Sequence, residues 1–131
     1  MEDGGYGYYA PASFELVNIA PGHPVTTKGV IYEKRTEFAA AGEGAPRSLD
    51  AFRMPESEIF LNHQLSGVRT KLLGIKWTDP RSGRTYQQDI GGWLMRVGKG
   101  WVFYFMAGHR GEDLNIDPYA QILTNALQFN P

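Results

Sequence analysis

Residues 90–129, IGGWLMRVGKGWVFYFMAGHRGEDLNIDPYAQILTNALQF, are the stretch from which we predict the fold. Residues 93–97 and 101–106 are rich in apolar side chains, and the Gly-Lys-Gly sequence of residues 98–100 between them predicts a tight turn. The two segments are therefore expected to pair as strands. The second strand ends just before His109, and in open α/β sheets ligands bind beyond the carboxyl ends of strands. His109 is therefore the first candidate for a functional residue.

The end of this stretch predicts an amphipathic helix. Asp117 is a favourable N-cap residue, and Pro118 suits the first helical position. Apolar side chains then recur at the spacing of one helix face, at Tyr119, Ile122, Leu123, Ala126 and Leu127. No other segment of the chain has so complete a helix pattern.

Shorter patterns describe the rest of the chain. Residues 14–20 and 57–64 are apolar enough to predict strands. Residues 71–90 predict a β-hairpin, because Asp-Pro-Arg-Ser-Gly-Arg at 79–84 combines the two residue types that favour a turn. Residues 47–55 have apolar side chains at a spacing that suggests one helical turn.

Composition limits the class of protein. The chain has 131 residues, which suits one domain, and 42% of them are hydrophobic. A net charge of -1 argues against nucleic-acid binding. The absence of cysteine excludes disulfides and a cysteine nucleophile. No apolar run reaches the roughly 18 residues of a membrane span, so no membrane partner is expected.

The first residues suggest neither a signal peptide nor regular structure. Residues 1–13 are rich in Gly and Tyr and contain one proline, which predicts a flexible leader. They have no basic segment followed by an apolar one, as a signal peptide would. We therefore expect a soluble, cytoplasmic protein with one domain at 14–131.

Three segments, in order, resemble the ThuA-like (trehalose utilisation) family. Residues 20–25, APGHPV, are similar to a strand and a His-Pro turn of that family. Residues 57–60, SEIF, partly match its Asp-Glu-Leu-Tyr strand, since only the glutamate is kept. Residues 98–109, GKGWVFYFMAGH, followed by LTNAL at 123–127, match its late strand and closing helix.

The resemblance implies an α/β fold. ThuA-like proteins resemble the class I glutamine amidotransferases, whose sheet is parallel and flavodoxin-like. Residues 14–131 match only the second, C-terminal half of that domain. We therefore expect a partial flavodoxin-like sheet with a β-hairpin insertion and a C-terminal helix. A homo-oligomer, or association with a missing N-terminal half, would then cover an apolar face of the sheet that the chain itself leaves bare.

The resemblance also implies a function in carbohydrate utilisation, with trehalose, a related disaccharide or a keto-sugar bound at the strand C-termini. His109, His23 and Glu58 are the expected catalytic residues, and Arg110 and Trp93 the expected substrate contacts. Whether the chain is an enzyme stays open. The alternatives are a non-catalytic sugar-binding or interaction subunit, and an incomplete fragment that needs a partner.

Each candidate residue also has a structural explanation. A histidine near neutral pH suits proton transfer, but His109 and His23 could equally bond backbone groups of their loops. Glu58 could form an ion pair, and Trp93 could belong to the core. With His63 the two histidines could in principle bind a metal, but no ligand spacing supports this, so neither a metal nor another cofactor is expected.

Overall fold

The structure, a computed structural model, describes residues 7–131. In this range it contains six strands: β1 (Gly7–Asn18), β2 (Lys34–Phe38), β3 (Arg47–Leu61), β4 (Thr70–Thr78), β5 (Thr85–Val97) and β6 (Gly100–Phe105). The helices are α1 (Pro24–Thr27), a 3₁₀ helix (Gly111–Asn115) and α2 (Asp117–Leu127). The strands form one sheet in the order β2-β3-β1-β4-β5-β6.

The sheet is antiparallel throughout, so the prediction of a flavodoxin-like, class I glutamine amidotransferase-like α/β fold is wrong. Each neighbouring pair of strands runs in opposite directions. Parallel neighbours need a crossover of a dozen or more residues, usually a helix. Only residues 79–84 join β4 to β5, and only residues 98–99 join β5 to β6, so these connections are too short for a parallel sheet.

Local signals located several elements correctly. β4 and β5 form the hairpin that residues 71–90 predict, and a turn at Gly98 and Lys99 joins β5 to β6. The C-terminal helix α2 begins at Asp117, with Ile116 rather than Asp117 in the N-cap position.

Strands β3 and β1 differ from what the sequence predicts for the first half of the chain. Residues 47–55, predicted as a helical turn, belong to the long strand β3, where Leu49, Phe52 and Met54 are buried. Strand β1 begins at Gly7, inside the segment predicted as a flexible leader, and residues 1–6 of that segment lie outside the described residues.

One face of the sheet packs against the helices. Tyr119 and Ile122 of α2 are fully buried against side chains of the central strands, including Leu16, Phe52 and Ile75. The amide nitrogen of Asn125 donates to the backbone oxygens of Val25 and Lys28, at 3.0 and 2.8 Å, which ties α1 to α2. An antiparallel sheet needs only one such covered face.

On its other face the sheet is curled, so that the edge strand β2 reaches over the central strands. Phe38 belongs to β2, the edge strand that pairs with β3. Its ring nevertheless lies against Gly74 of β4, three strands away in the sheet order. The backbone N–H of Ala39 donates to the side chain of Gln87 on β5, at 3.1 Å. Phe38 and four neighbours form a small second core, made of Val17, Phe38, Ala40, Leu49 and Ala51.

Part of this face stays uncovered at the centre of the sheet and is polar. Among the described residues, Glu15, Arg53 and Lys76 lie side by side on it, on three neighbouring strands. Whether the chain forms oligomers stays a prediction.

The curl depends on the missing side chain at Gly74. A Cβ at this position would lie 2.6 Å from Cζ of Phe38, and the ring of Phe38 is fully buried and has no room to retreat. We expect Gly74→Ala to lower the free energy of unfolding by about 1–3 kcal/mol, as overpacking does. Urea unfolding followed by circular dichroism measures this loss.

Gly44→Ala is the matched control, because a Cβ at Gly44 meets nothing within 4 Å. If Gly74→Ala unfolds at the same urea concentration as the control, the contact between Phe38 and Gly74 does not constrain the sheet.

Candidate functional site

Three consecutive residues of β3 hold the loop that follows β6. The carboxylate of Glu56 accepts from the guanidinium of Arg110 at 3.0 Å, and the hydroxyl of Ser57 donates to the carboxylate of Asp113 at 2.7 Å. Nδ1 of His109 lies 3.0 Å from a carboxylate oxygen of Glu58. The structure thus brings together three of the five predicted site residues, listed here as Glu58, His109 and Arg110.

Strand pairing explains why this part of β3 is free to hold a loop. β2 pairs with β3 only between residues 47 and 51, so the β3 edge beyond Ala51 has no strand neighbour on that side among the described residues. The pairing of β1 with β3 is also irregular on both sides of Ala12. Such irregularities bend strands, and they occur often next to functional sites.

The paired His109 and Glu58 are suited to proton transfer. An ionised carboxylate can only accept, so Glu58 favours the imidazole tautomer with the proton on Nδ1. The other nitrogen, Nε2, then keeps a lone pair and can act as a base. The side chain of His109 is 41% exposed and that of Glu58 22% exposed, so the pair lies near the surface rather than in the core.

Beneath this pair, Asp113 forms a buried anchor. Its side chain is fully buried, and one carboxylate oxygen accepts both from the hydroxyl of Ser57 and from the backbone N–H of Arg110, the latter at 3.2 Å. The guanidinium of Arg110 lies 3.6 Å from the other oxygen. These bonds fix the start of the 3₁₀ helix directly after His109.

A second buried contact fixes the other side of the loop. The hydroxyl of Tyr119, in the first turn of α2, donates to the backbone oxygen of Ala107 at 2.6 Å. Burial, together with the negative charge of Asp113, raises the pKa of Tyr119 above its ordinary value. Tyr119 therefore stays a neutral donor, and His109 lies between two anchored points of the chain.

His23, the second predicted catalytic residue, lies elsewhere. Its Nδ1 accepts from the backbone N–H of Val25 at 3.2 Å and so caps α1. Its ring is 5.5 Å from that of Phe129, beyond the C-terminal end of α2. His109 precedes the N-terminal end of the same helix, which is about 16 Å long at 1.5 Å per residue. The structure therefore does not bring the two histidines together.

Trp93 and His63 make their described contacts with other aromatic residues. The ring of Trp93 stacks on Tyr104 at 5.3 Å, and the guanidinium of Arg69 lies 5.5 Å above it. Because Phe105 points toward Tyr119 of α2, its neighbour Tyr104 and the stacked Trp93 lie on the opposite face of the sheet. His63 stacks on Phe60, at 5.6 Å.

Sequence reasoning missed Glu56, Ser57 and Asp113. Ser57 entered the sequence analysis only as part of the strand motif that contains Glu58. The signal for Asp113 was its position three residues after Arg110, the spacing at which a side chain caps the start of a helix. The partnership of the 56–58 and 109–113 segments had no local signal, because about fifty residues separate them.

Neither a metal-binding cluster nor a membrane-spanning helix is found in the described part of the chain. Within residues 7–131, no group of three or more His, Cys, Asp or Glu side chains is placed to hold a metal ion. The helices found there are all too short or too polar to cross a membrane.

Comparisons with known proteins give no further identification. No protein-family model, no curated protein and no solved structure matches the chain. The resemblance to the ThuA-like family therefore stays a prediction based on short motifs.

The buried anchor can be tested by removing its acceptor. Asp113→Ala leaves the hydroxyl of Ser57 buried without its partner and removes the acceptor of the part-buried N–H of Arg110, and an unpaired buried polar group costs roughly 1–3 kcal/mol. We expect a lower free energy of unfolding by about that amount, measured in urea. Glu112→Ala, at the exposed neighbouring position, should change it by less than about 0.5 kcal/mol.

A double-mutant cycle with Ser57→Ala isolates the bond itself. If Asp113 and Ser57 interact as described, the double variant loses less stability than the sum of the losses in the two single variants. Strict additivity would show that the 2.7 Å contact contributes nothing to stability.

His23 should make stability depend on pH. Burial lowers its pKa below the ordinary 6.5, so near pH 6 the unfolded chain binds more protons than the folded one. Stability is then highest above the unfolded pKa and falls as the pH drops through the window below 6.5. Protonation of Nδ1 would also remove the acceptor for Val25.

His23→Asn keeps a capping oxygen but cannot titrate. We expect its melting temperature to fall less than that of the wild type between about pH 7 and pH 5. Burial also lowers the pKa of His63, so the double variant with His63→Asn should show the flattest profile. An unchanged profile in His23→Asn would rule out this origin of the pH dependence.

Proposed function

We propose that the Glu58–His109 pair transfers a proton to and from a small carbohydrate. The observation behind this proposal is the 3.0 Å contact between Nδ1 of His109 and Glu58, at a side chain that stays 41% exposed. Such a contact holds the imidazole in one orientation and one tautomer, as a proton-transfer residue requires. The resemblance to the ThuA-like family supplies the substrate class, a disaccharide such as trehalose or a keto-sugar.

A keto-sugar suits the pair best, because a carbon next to a carbonyl loses a proton readily to a base. Nε2 of His109 takes that proton, and the electron pair moves into the carbonyl to form an enolate oxygen. The negative charge of Glu58 stabilises the imidazolium that results. Return of a proton to the same carbon, as the enolate electron pair moves back to that carbon, restores the keto-sugar and regenerates neutral His109.

The neighbouring Arg110 supplies positive charge for the enolate oxygen. Its guanidinium lies 3.0 Å from Glu56 and 3.6 Å from Asp113, and these contacts fix its position at the residue that follows His109. Preoriented charge of this kind is often the largest single contribution to catalysis.

The proposal places the reaction in the cytoplasm, a reducing compartment with which a chain lacking cysteine is compatible.

The proposal predicts exchange of a carbon-bound proton with solvent. A keto derivative of trehalose, incubated with the protein in heavy water, should incorporate deuterium next to its carbonyl, as followed by proton NMR. His109→Ala should slow this exchange by about 100-fold or more, the usual contribution of a general base. Glu58→Gln should slow it less, because the imidazole remains.

His63→Asn is the matched control and should exchange at the wild-type rate. Absence of protein-dependent exchange, or equal rates for the wild type and His109→Ala, would overturn the proposal. Binding of the sugar without exchange would favour the non-catalytic, sugar-binding alternative.

A further inference from the structure

A groove of about 500 Å³ lies on the face of the sheet that the helices do not cover. Its volume falls within the range of about 300–1,000 Å³ that small-molecule sites occupy. Its polar lining comes from four strands and includes Ser13, Glu15, Lys34, Arg53, Lys76 and Thr78. The Glu58–His109 pair is not part of this lining.

Strand register sets the arrangement of charges in the groove. Arg53 of β3 and Lys76 of β4 both lie directly opposite Glu15 of the central strand β1. Side chains directly opposite on neighbouring strands are about 4.5–5.5 Å apart at Cβ. Two cations therefore flank one carboxylate in a straight row across the sheet.

These charges do not cancel. The carboxylate of Glu15 already has the ammonium group of Lys34 at 3.0 Å. The ammonium group of Lys76 donates to the hydroxyl of Thr36 at 3.0 Å and to the backbone oxygen of Glu37 at 2.6 Å, both neutral acceptors. Counted over the lining, three cations and two carboxylates leave a charge of +1, because Glu33 is the only other acidic residue there.

Arg53 is the cation best placed to bind an anion. No carboxylate of residues 7–131 forms an ion pair with its guanidinium, whose nearest polar partner is the hydroxyl of Ser13 at 3.4 Å. Its backbone is held instead, since its N–H donates to the carboxylate of Glu33. A guanidinium presents two parallel N–H groups, which match the two oxygens of a carboxylate.

We propose that this groove binds a small polyhydroxy carboxylate, of the sugar-acid class. Arg53 binds the carboxylate of the ligand through both of its outer nitrogens. The hydroxyls of Ser13 and Thr78 and the carboxylate of Glu15 bond the hydroxyl groups of the ligand. This site is independent of the proton-transfer site, and either can exist without the other.

Calorimetric titration of the whole chain with D-gluconate tests the proposal. We expect saturable binding at millimolar concentration, weakened by about tenfold in Arg53→Gln, which corresponds to the loss of one charge-assisted pair of hydrogen bonds at about 1.4 kcal/mol per factor of ten. Arg53→Lys keeps the charge but not the paired N–H groups, and should give an intermediate affinity. Arg96→Gln, at an exposed arginine outside the groove, is the matched control.

Two further ligands separate the sugar-acid class from simpler explanations. D-glucose lacks the carboxylate and should bind at least about tenfold more weakly, and inorganic phosphate lacks the hydroxylated chain and should also bind more weakly. Equal binding of glucose or of phosphate, no binding of gluconate, or undiminished binding in Arg53→Gln would each overturn the proposal. His109→Ala should bind gluconate like the wild type, so failure of one site is distinguishable from failure of the other.

Discussion

The close approach of the Phe38 ring to the backbone of Gly74 is the constraint on which the shape of the sheet depends. It draws an edge strand over the centre of the sheet and closes a small second core. Helices cover one face of the sheet, its own edge covers part of the other, and the rest of that second face includes a polar strip. That strip is the groove in which Arg53, Glu15 and Lys76 lie in a row.

A second constraint determines the geometry around His109. The buried bond between Ser57 and Asp113 joins a strand edge to a loop about fifty residues further along the chain. Polar groups buried in this way must be paired, so the bond specifies one position for the loop. Glu58 directly follows Ser57, and His109 lies one short loop before Asp113. The two side chains meet as a consequence. The exposed pair is thus held in place by a buried one.

The sequence was informative where the structure is local. Apolar spacing located α2, and turn residues located the β4–β5 and β5–β6 hairpins, because each signal lies within one element or one turn. The flavodoxin-like sheet implied by the resemblance was wrong, since the motifs that resemble the ThuA-like family say nothing about which strands are neighbours. The first part of β3, residues 47–55, was predicted as a helical turn because Leu49, Phe52 and Met54 have a spacing that a short helix could share.

The candidate site was predicted in the same uneven way. His109 was identified from its position after an apolar strand, and Glu58 from a partial motif, and the structure places them in contact. His23 was grouped with them on the assumption that strand ends share one edge, which holds for a parallel sheet and not for this one. The groove had no sequence signal, because Arg53, Glu15 and Lys76 become neighbours only through register.

The strand order has a consequence for how the chain reaches its native state. β1 is the first described strand of the chain, yet it lies between β3 and β4, and it pairs with residues as distant as Lys76. The β4–β5–β6 meander can close through short turns, whereas the centre of the sheet must wait for two distant segments to meet. The apolar residues of β1 therefore stay without their strand partners until β3 and β4, both further along the chain, have reached it.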